Sequence, residues 1–490
     1  MAKKIPSTIA VSIIVVALLL LTFAVRVYHL DWIQFDSDFG RDSLFGWRIL
    51  TEKFTLLGAQ ASVGGFYLGP FYFYFVAALY ALFGPVPEIV MLAFAILNVL
   101  AAWLGFKLLS SRVNLTAGLL FLLLFSTQPL MVVSSRAATH TPMLPFITLL
   151  ALTLLLRSVT KPSLLTHLLA GCALGLFLHV HFSALLLFPG YFLVVAGLTL
   201  GKWRQKLAAL MLHGLGVILM LSPLILFDFR HEFITSRAFF EYGAEVVKGE
   251  SVRDSFLHWT LGEKIDNILL YVGPLKWLQL VIVLASGLGL FSLIRMVPSQ
   301  AKTLALTLSF LTGSVVVLLL LYPGYLFLYY LVVPGTLLLL TVAVLLSYLQ
   351  PKWLGILIAL LVSVLQLRSL VGLYKPEFRN LRHLTSITAA IETDVKAHGN
   401  KPFAIYKDSS DGLTTLGYEY RFLLTRDGLR PVSEYDYSLA EVVYVIREEG
   451  TTDPLTLGGH EMSQFQPQEM RLVQTLFFNR KQVDIFALTR

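Results

Sequence analysis

A single cysteine, Cys172, lies in an apolar run, so no disulfide can form within the chain and cysteine usage is silent about redox compartment. Charge is scarce too. Only 14% of residues are Asp, Glu, Lys or Arg, against about one quarter in an ordinary soluble domain, and 56% are hydrophobic. This composition excludes a soluble globule and points to an integral membrane protein with many spans. Several signatures are missing: the GxxxxGKS phosphate loop, GxGxxG, HExxH and GxSxG. An enzyme of this kind would take its activated donor from the lipid, not from a soluble nucleotide. The net charge of +8 is no nucleic-acid signature, because the basic residues fall in short clusters between apolar runs, which is how membrane orientation is encoded.

Apolar runs lie near 7–26, 69–84, 87–109, 115–133, 141–157, 164–182, 184–200, 207–228, 275–296, 302–322, 324–348 and 352–372. A crossing helix needs about 20 residues. The first run follows Lys3 and Lys4 without a small-residue cleavage site, and reads as a retained anchor. The 69–84 run is short, aromatic and opened by Gly69–Pro70. If it does not cross, the chain crosses about eleven times. The inner loops then hold Lys107, Arg112, Arg157, Lys161, Lys202, Arg204, Lys206, Arg295, Lys302 and Lys352. If it crosses, all of these move outside, against the orientation rule. The 69–84 run is therefore expected to be a re-entrant or interfacial helix of the first outer loop. The expected fold is mainly α: a polytopic membrane helix bundle with a small C-terminal α/β extracytoplasmic domain. Residues 1–373 would form the transmembrane module, with long outer loops 27–86 and 229–273, and residues 374–490 the outer domain. The protein would sit in the plasma (inner) membrane with its N-terminus cytoplasmic.

The polar tail carries strand-like runs FAIY (403–406), VVYVI (442–446), VQTLFF (473–478) and VDIFAL (483–488), and a helical pattern over roughly 381–397. The second long loop begins RHEFITSRAFFEYGAEVVKGES, which reads as an amphipathic helix.

The stretch that bears on chemistry is HLDWIQFDSDFGRDSLFGWRIL, residues 29–50, where Asp31, Asp36, Asp38 and Asp42 stand among aromatic residues beside a lipid-spanning segment. Carboxylates there are costly unless they have a task. FGRD starts a helix with Asp38 as its N-cap, followed by Arg41, Phe45, Arg48 and Leu50 on successive turns. Asp38 is then either a solvated cap or a general base, with Asp36 the second candidate base. Other candidates gather at the same outer boundary: Arg136 and His140 in SSRAATHTPM, His179 and His181 in LHVHFS, and Tyr322, Tyr325, Tyr329 and Tyr330 in YPGYLFLYYLVVP. Cationic and neutral donors suit a phosphate headgroup. Arg230, with His231 and Arg237, could touch a lipid phosphate. The bland readings are a buried, satisfied histidine at His179, an interfacial aromatic belt for the tyrosines and a solvated face around Arg230. Two histidines at i, i+2 in a helix face apart, so HVH is a weak metal motif.

These stretches, in their order, resemble the C-type integral-membrane glycosyltransferases of the protein O-mannosyltransferase and aminoarabinose lipid A transferase kind. FDSDFGRDSLFGWRIL is similar to that family's acidic first outer loop, and GGFYLGPFYFYFVAALYALFG to its Gly/Pro turn before an aromatic interfacial helix. SSRAATHTPMLPF resembles its outer-loop Ser-Arg motif, and FLHVHFSALLLFP and YLFLYYLVVP two further boundary motifs. The resemblance runs over about residues 7–370. It implies transfer of one hexosyl or pentosyl unit from a polyprenyl-phosphate carrier to a hydroxyl or phosphate on a lipid, glycan or protein, at the outer face, with inversion. It implies Asp38 as base or acceptor-orienting group and Arg41 as support for the carboxylate or phosphate. Asp42, Tyr67, Tyr72, Arg136, His140, His179, His181, Arg230 and Tyr329 complete the candidate substrate-binding set, aromatic faces being suited to sugar rings. No obligatory cofactor is expected, no metal ligand is assigned, and metal dependence is left open. The partners are the lipid-linked sugar, its acceptor and membrane lipids, with no nucleic acid. The chain departs from the family pattern at Phe39, where protein O-mannosyltransferases follow Asp with Glu. It departs again at Thr139–His140–Thr141, which lacks an acidic residue, and at Leu68–Gly69–Pro70, which lacks a lysine. The competing readings are a secondary transporter and a non-catalytic membrane assembly factor. No obvious inverted repeat supports the transporter, and the ionisable residues gather at the boundary, not mid-membrane.

Overall fold

The computed structural model describes residues 8–61, 64–137, 139–248, 299–321, 328–372, 374–376, 378–408, 415–448, 453–478 and 481–490. Apolar composition builds long helices here because a backbone in lipid must satisfy its own hydrogen bonds. Among the described residues, six helical segments are long and apolar enough to cross a membrane, or up to eight if each of two bent pairs is one span. The expected run at 275–296 lies outside the described residues. The bent pairs break at proline. Leu115–Thr127 and Pro129–Ser135 meet at 58°, and Trp203–Met220 and Ser222–Arg230 at 64°. Pro129 has no N–H to continue the helix, and Gln128 before it is extended at ψ 119°.

The chain forms two compact units that do not follow chain order. One comprises Met1–Tyr28, Thr55–Tyr72 and Leu92–Leu373; the other comprises His29–Phe54, Phe73–Met91 and Tyr374–Arg490. The expected boundary after residue 373 follows composition along the chain, whereas the second unit joins the acidic stretch after the first helix to the polar tail.

The first unit is a helix bundle. In it, helix Leu164–Leu176 packs closely against Trp203–Met220. A Cβ on Gly171 would lie 2.2 Å from the His213 carbonyl oxygen, and one on Gly216 would lie 2.4 Å from that of Leu168. Small residues permit this approach, as is usual where helices associate in lipid. Between these helices a buried network is satisfied internally. His213 Nε2 lies 3.0 Å from His167 Nδ1 and 3.3 Å from Ser158 Oγ, and its Nδ1 lies 2.9 Å from Tyr191 Oη.

The second unit is built on a four-stranded sheet: β1 (Phe403–Asp408), β2 (Val442–Arg447), β3 (Glu469–Phe478) and β4 (Lys481–Thr489), in the order β1-β2-β4-β3. β1 and β2 are parallel and the other pairs antiparallel. Each expected strand is present, and the expected helix is Leu381–Ala397, capped by Asn380, whose side chain accepts the His383 N–H at 3.0 Å. Ala404, Tyr406, Val443, Val445, Tyr437 and Phe465 form part of the core. Against helix Tyr418–Arg426 packs helix Ser37–Thr51 from the acidic stretch, with Gly40 at the crossing: a Cβ there would sit 2.3 Å from the Glu419 nitrogen.

Candidate functional site

The acidic stretch folds into a helix that starts two residues earlier than a cap at Asp38 requires. Asp36 is the cap. Its backbone is extended (φ −88°, ψ −179°), and its carboxylate accepts the Phe39 N–H at 3.0 Å. Asp38 already has helical backbone and stands in the first turn, with its side chain 55% exposed. The cap must lie outside the helix to reach the third N–H, so the cap expected at Asp38 is Asp36 instead. Negative charge at this end also complements the helix dipole.

Arg41 organises the turn. Its Nη1 donates to Asp38 at 2.9 Å, and its Nε and Nη2 both donate to one oxygen of Asp42 at 2.9 and 2.8 Å. Asp42 is fully buried, so it anchors Arg41 and does not face an acceptor. The carboxylates around Arg41 hold its pKa above its already high ordinary value. Across the helix crossing, Ser37 Oγ donates to Glu419 at 2.8 Å, and Lys407 Nζ lies 3.2 Å from the other Glu419 oxygen and 3.3 Å from Ser37 Oγ. Burial, reinforced by the charges of Asp38, Glu419 and Asp42, pushes the Asp36 carboxyl up to about 7, although the Phe39 N–H pulls the other way. Two turns on from Arg41, Arg48 grips Glu434 with two hydrogen bonds of 2.7 and 2.8 Å.

The remaining candidates belong to the first unit. Tyr72, His140, His181, Tyr329 and Tyr330 form a chain of rings. Centroid separations are 5.6 Å for Tyr72–His140, 6.1 Å for His140–His181, 4.8 Å for His181–Tyr329 and 5.3 Å for His181–Tyr330. Tyr322 and Tyr325 lie outside the described residues. The HVH segment is not a regular helix. It breaks into 3₁₀ turns at Phe177–His179 and Phe182–Leu187, and His181 caps the second by accepting the Ser183 N–H at 3.0 Å.

His179 is buried and uses both ring nitrogens. Nδ1 accepts the Phe71 N–H at 3.1 Å and Nε2 lies 2.8 Å from the Met220 carbonyl, which fixes the proton on Nε2. A Cβ on Gly69 would lie 2.2 Å from His179 Nδ1, so only glycine admits the ring against the Gly69–Pro70 turn. Arg136 donates through Nη1 to the carbonyls of Arg26 at 2.9 Å and Tyr28 at 2.5 Å, covering the C-terminal end of helix Thr8–Val27. Asn98 donates to the Pro142 carbonyl at 3.0 Å and pins the loop that carries His140. Tyr67 lies half-buried in the extended segment paired with Gln60, and Arg230 is exposed at the end of helix Ser222–Arg230. Among the described residues, no three His, Cys, Asp or Glu side chains are grouped as metal ligands would be.

Sequence reasoning missed Glu419, Lys407 and Glu434. The available signal was a lysine continuing the FAIY strand, whose burial becomes legible only when a carboxylate is found to neutralise it.

Residues 68–227 match the family described as Dolichyl-phosphate-mannose-protein mannosyltransferase. No curated protein matches in sequence. Among solved structures, the fold is similar to that of ArnT from Cupriavidus metallidurans bound to undecaprenyl phosphate, at TM-score 0.60 and 15% identity over 98% of both chains. It is also similar to the oligosaccharyltransferase of Archaeoglobus fulgidus, at TM-score 0.56 and 12% identity over 90% of this chain and 70% of that one. A third similar fold is the mycobacterial arabinofuranosyltransferase AftD, at TM-score 0.52 and 14% identity over 100% of this chain and 42% of that one. The segment that matches the family spans the aromatic helix Phe71–Phe83 and the His140 and His181 turns, and the fold of the whole chain is similar to that of ArnT.

Proposed function

We propose that this chain moves a sugar from a polyprenyl-phosphate donor to a hydroxyl or phosphate acceptor at the outer membrane face, with a first-loop aspartate as general base. The family match over residues 68–227 carries this reading, and a similar fold that holds undecaprenyl phosphate supports the lipid carrier. Asp38 is the favoured base: its carboxylate is exposed, and Arg41 holds one oxygen, leaving the other to take the acceptor's proton. Asp36 is the second candidate, with a carboxyl that titrates near neutrality. The rings of Tyr72, His181 and Tyr329 offer faces to a sugar, and His140 and Arg136 offer donors to the leaving phosphate.

The orientation behind this reading is eleven crossings, a cytoplasmic N-terminus and an outer C-terminal domain. Helix Phe71–Phe83 has 13 residues and rises about 20 Å, short of a hydrocarbon core of about 30 Å, which favours an interfacial position.

The test is sugar transfer by purified protein in proteoliposomes supplied with polyprenyl-phosphate sugars. Asp38→Asn should lower turnover by about 10²- to 10⁴-fold while donor binding persists. Full turnover in both Asp38→Asn and Asp36→Asn would remove the first-loop base. Labelling that put the tail in the cytosol would remove the outer-face assignment.

A further inference from the structure

Helix Ser37–Thr51 meets the polar tail through a buried charge pair. Lys407 and Glu419 have side chains 1% and 0% exposed and lie 3.2 Å apart. Such a pair brings desolvation costs that Coulomb attraction repays only with good geometry and further hydrogen bonds, so its stabilising value alone is a weak account of it. Here the further hydrogen bond is functional in position. Ser37, between Asp36 and Asp38, donates to Glu419 at 2.8 Å and receives the Lys407 ammonium at 3.3 Å.

Resting on the general-base reading above, we infer that Glu419, held between Lys407 and Ser37, is a positioning residue for transfer: it fixes the first turn of helix Ser37–Thr51, which carries the Asp36–Asp38 pair. Glu419 is fully buried and does not itself meet substrate. The groups around the pair can be named. On its own helix these are Arg41 and Asp42. From the opposing strand and helix come Lys407, Glu419 and Tyr418. From the segment bonded to Phe35 comes Arg379, which is neutralised by Glu448, itself hydrogen-bonded by Tyr420. Negative charge at Glu419 helps keep a proton on the neighbouring Asp36 to higher pH, which makes its carboxylate a stronger base near neutrality.

The experiment is the pH–rate profile of sugar transfer in proteoliposomes. A glutamine at 419 keeps an acceptor for Ser37 and removes the charge, so Glu419→Gln should move the acid limb about one pH unit lower. Because that variant leaves Lys407 buried without its partner, Ser37→Ala provides a second arm. It should lower kcat about tenfold at unchanged KM for the donor, and Ser37→Thr should restore kcat. An unmoved acid limb in folded Glu419→Gln, or an unchanged kcat in Ser37→Ala, overturns the inference. Asp36→Asn and Asp38→Asn in the same assay separate the two failures: if both retain full turnover, the base assignment falls instead.

Discussion

Replacing Gly40 by alanine should loosen the second unit. A Cβ at this position would stand 2.3 Å from the Glu419 nitrogen, 2.4 Å from its Cα and 2.7 Å from the Tyr418 carbonyl carbon. All three are backbone atoms, so no side chain can swing aside. Ordinary contacts to a Cβ begin near 3.4 Å, so the helices must part by about 1 Å. Overpacking of this kind costs about 1–3 kcal/mol, and a blocked backbone belongs at the upper end. Alanine regains about 1 kcal/mol of helix propensity, which leaves a net loss of about 1–2 kcal/mol. The separation would also stretch the 2.8 Å Ser37–Glu419 hydrogen bond past its useful range, so transfer should fall with stability. Gly197 is the control: it lies within a helix with nothing inside 4 Å of its added Cβ, so Gly197→Ala should be neutral or stabilising. Thermal unfolding in detergent, followed by fluorescence, reads both variants. A Gly40→Ala protein as stable and active as the parent would refute the tight crossing.

Removing the Arg48 guanidinium with Arg48→Met strands Glu434, whose side chain is 1% exposed, and should cost about 3–5 kcal/mol by chemical denaturation. The double variant Arg48→Met, Glu434→Gln should recover most of it. Burial pushes the Glu434 pKa up, but the hydrogen bond and charge of Arg48 outweigh it, so the folded value is depressed. The stability Glu434 contributes is therefore complete above the ordinary carboxylate range and lost as pH falls through its folded pKa; an acid denaturation midpoint unchanged in the double variant would contradict this. Asp228 accepts the N–H groups of Thr235 and Ser236, each at 2.9 Å, across a turn where Glu232 and Phe233 have positive φ of 54° and 60°. Asp228→Ala should cost about 1–2 kcal/mol and speed proteolysis within 231–236, and an unaltered cleavage rate would show that other contacts hold the turn.

The tail shows how far pattern reading reaches. Its four strands and the helix Leu381–Ala397 follow the runs that predict them, because alternation, apolar runs and an Asn cap are local signals. The 69–84 run was likewise readable as a short aromatic helix behind a Gly-Pro turn, found at Phe71–Phe83. Reading failed where two residues of register mattered. Asp36 and Asp38 both suit an N-cap, and the choice falls to the one whose backbone is extended and whose carboxylate reaches Phe39. At His179 the bland reading is the one that fits: the ring is buried and both its nitrogens are taken by backbone groups from Phe71 and Met220.

Composition by itself determined that this chain lives in a membrane, because so few charges and so many apolar runs leave no soluble way to bury the backbone. Residue order determined where helices and strands form and that carboxylates follow the first helix. Tertiary structure alone decided which of those carboxylates caps the helix, which is buried against Arg41 and which stays open. It also brought Ser37 to Glu419 across 382 residues of chain. The physical reason is range: hydrophobic periodicity is written over a turn or two, while the ionisation and position of a side chain depend on charges that only folding brings within a few ångströms.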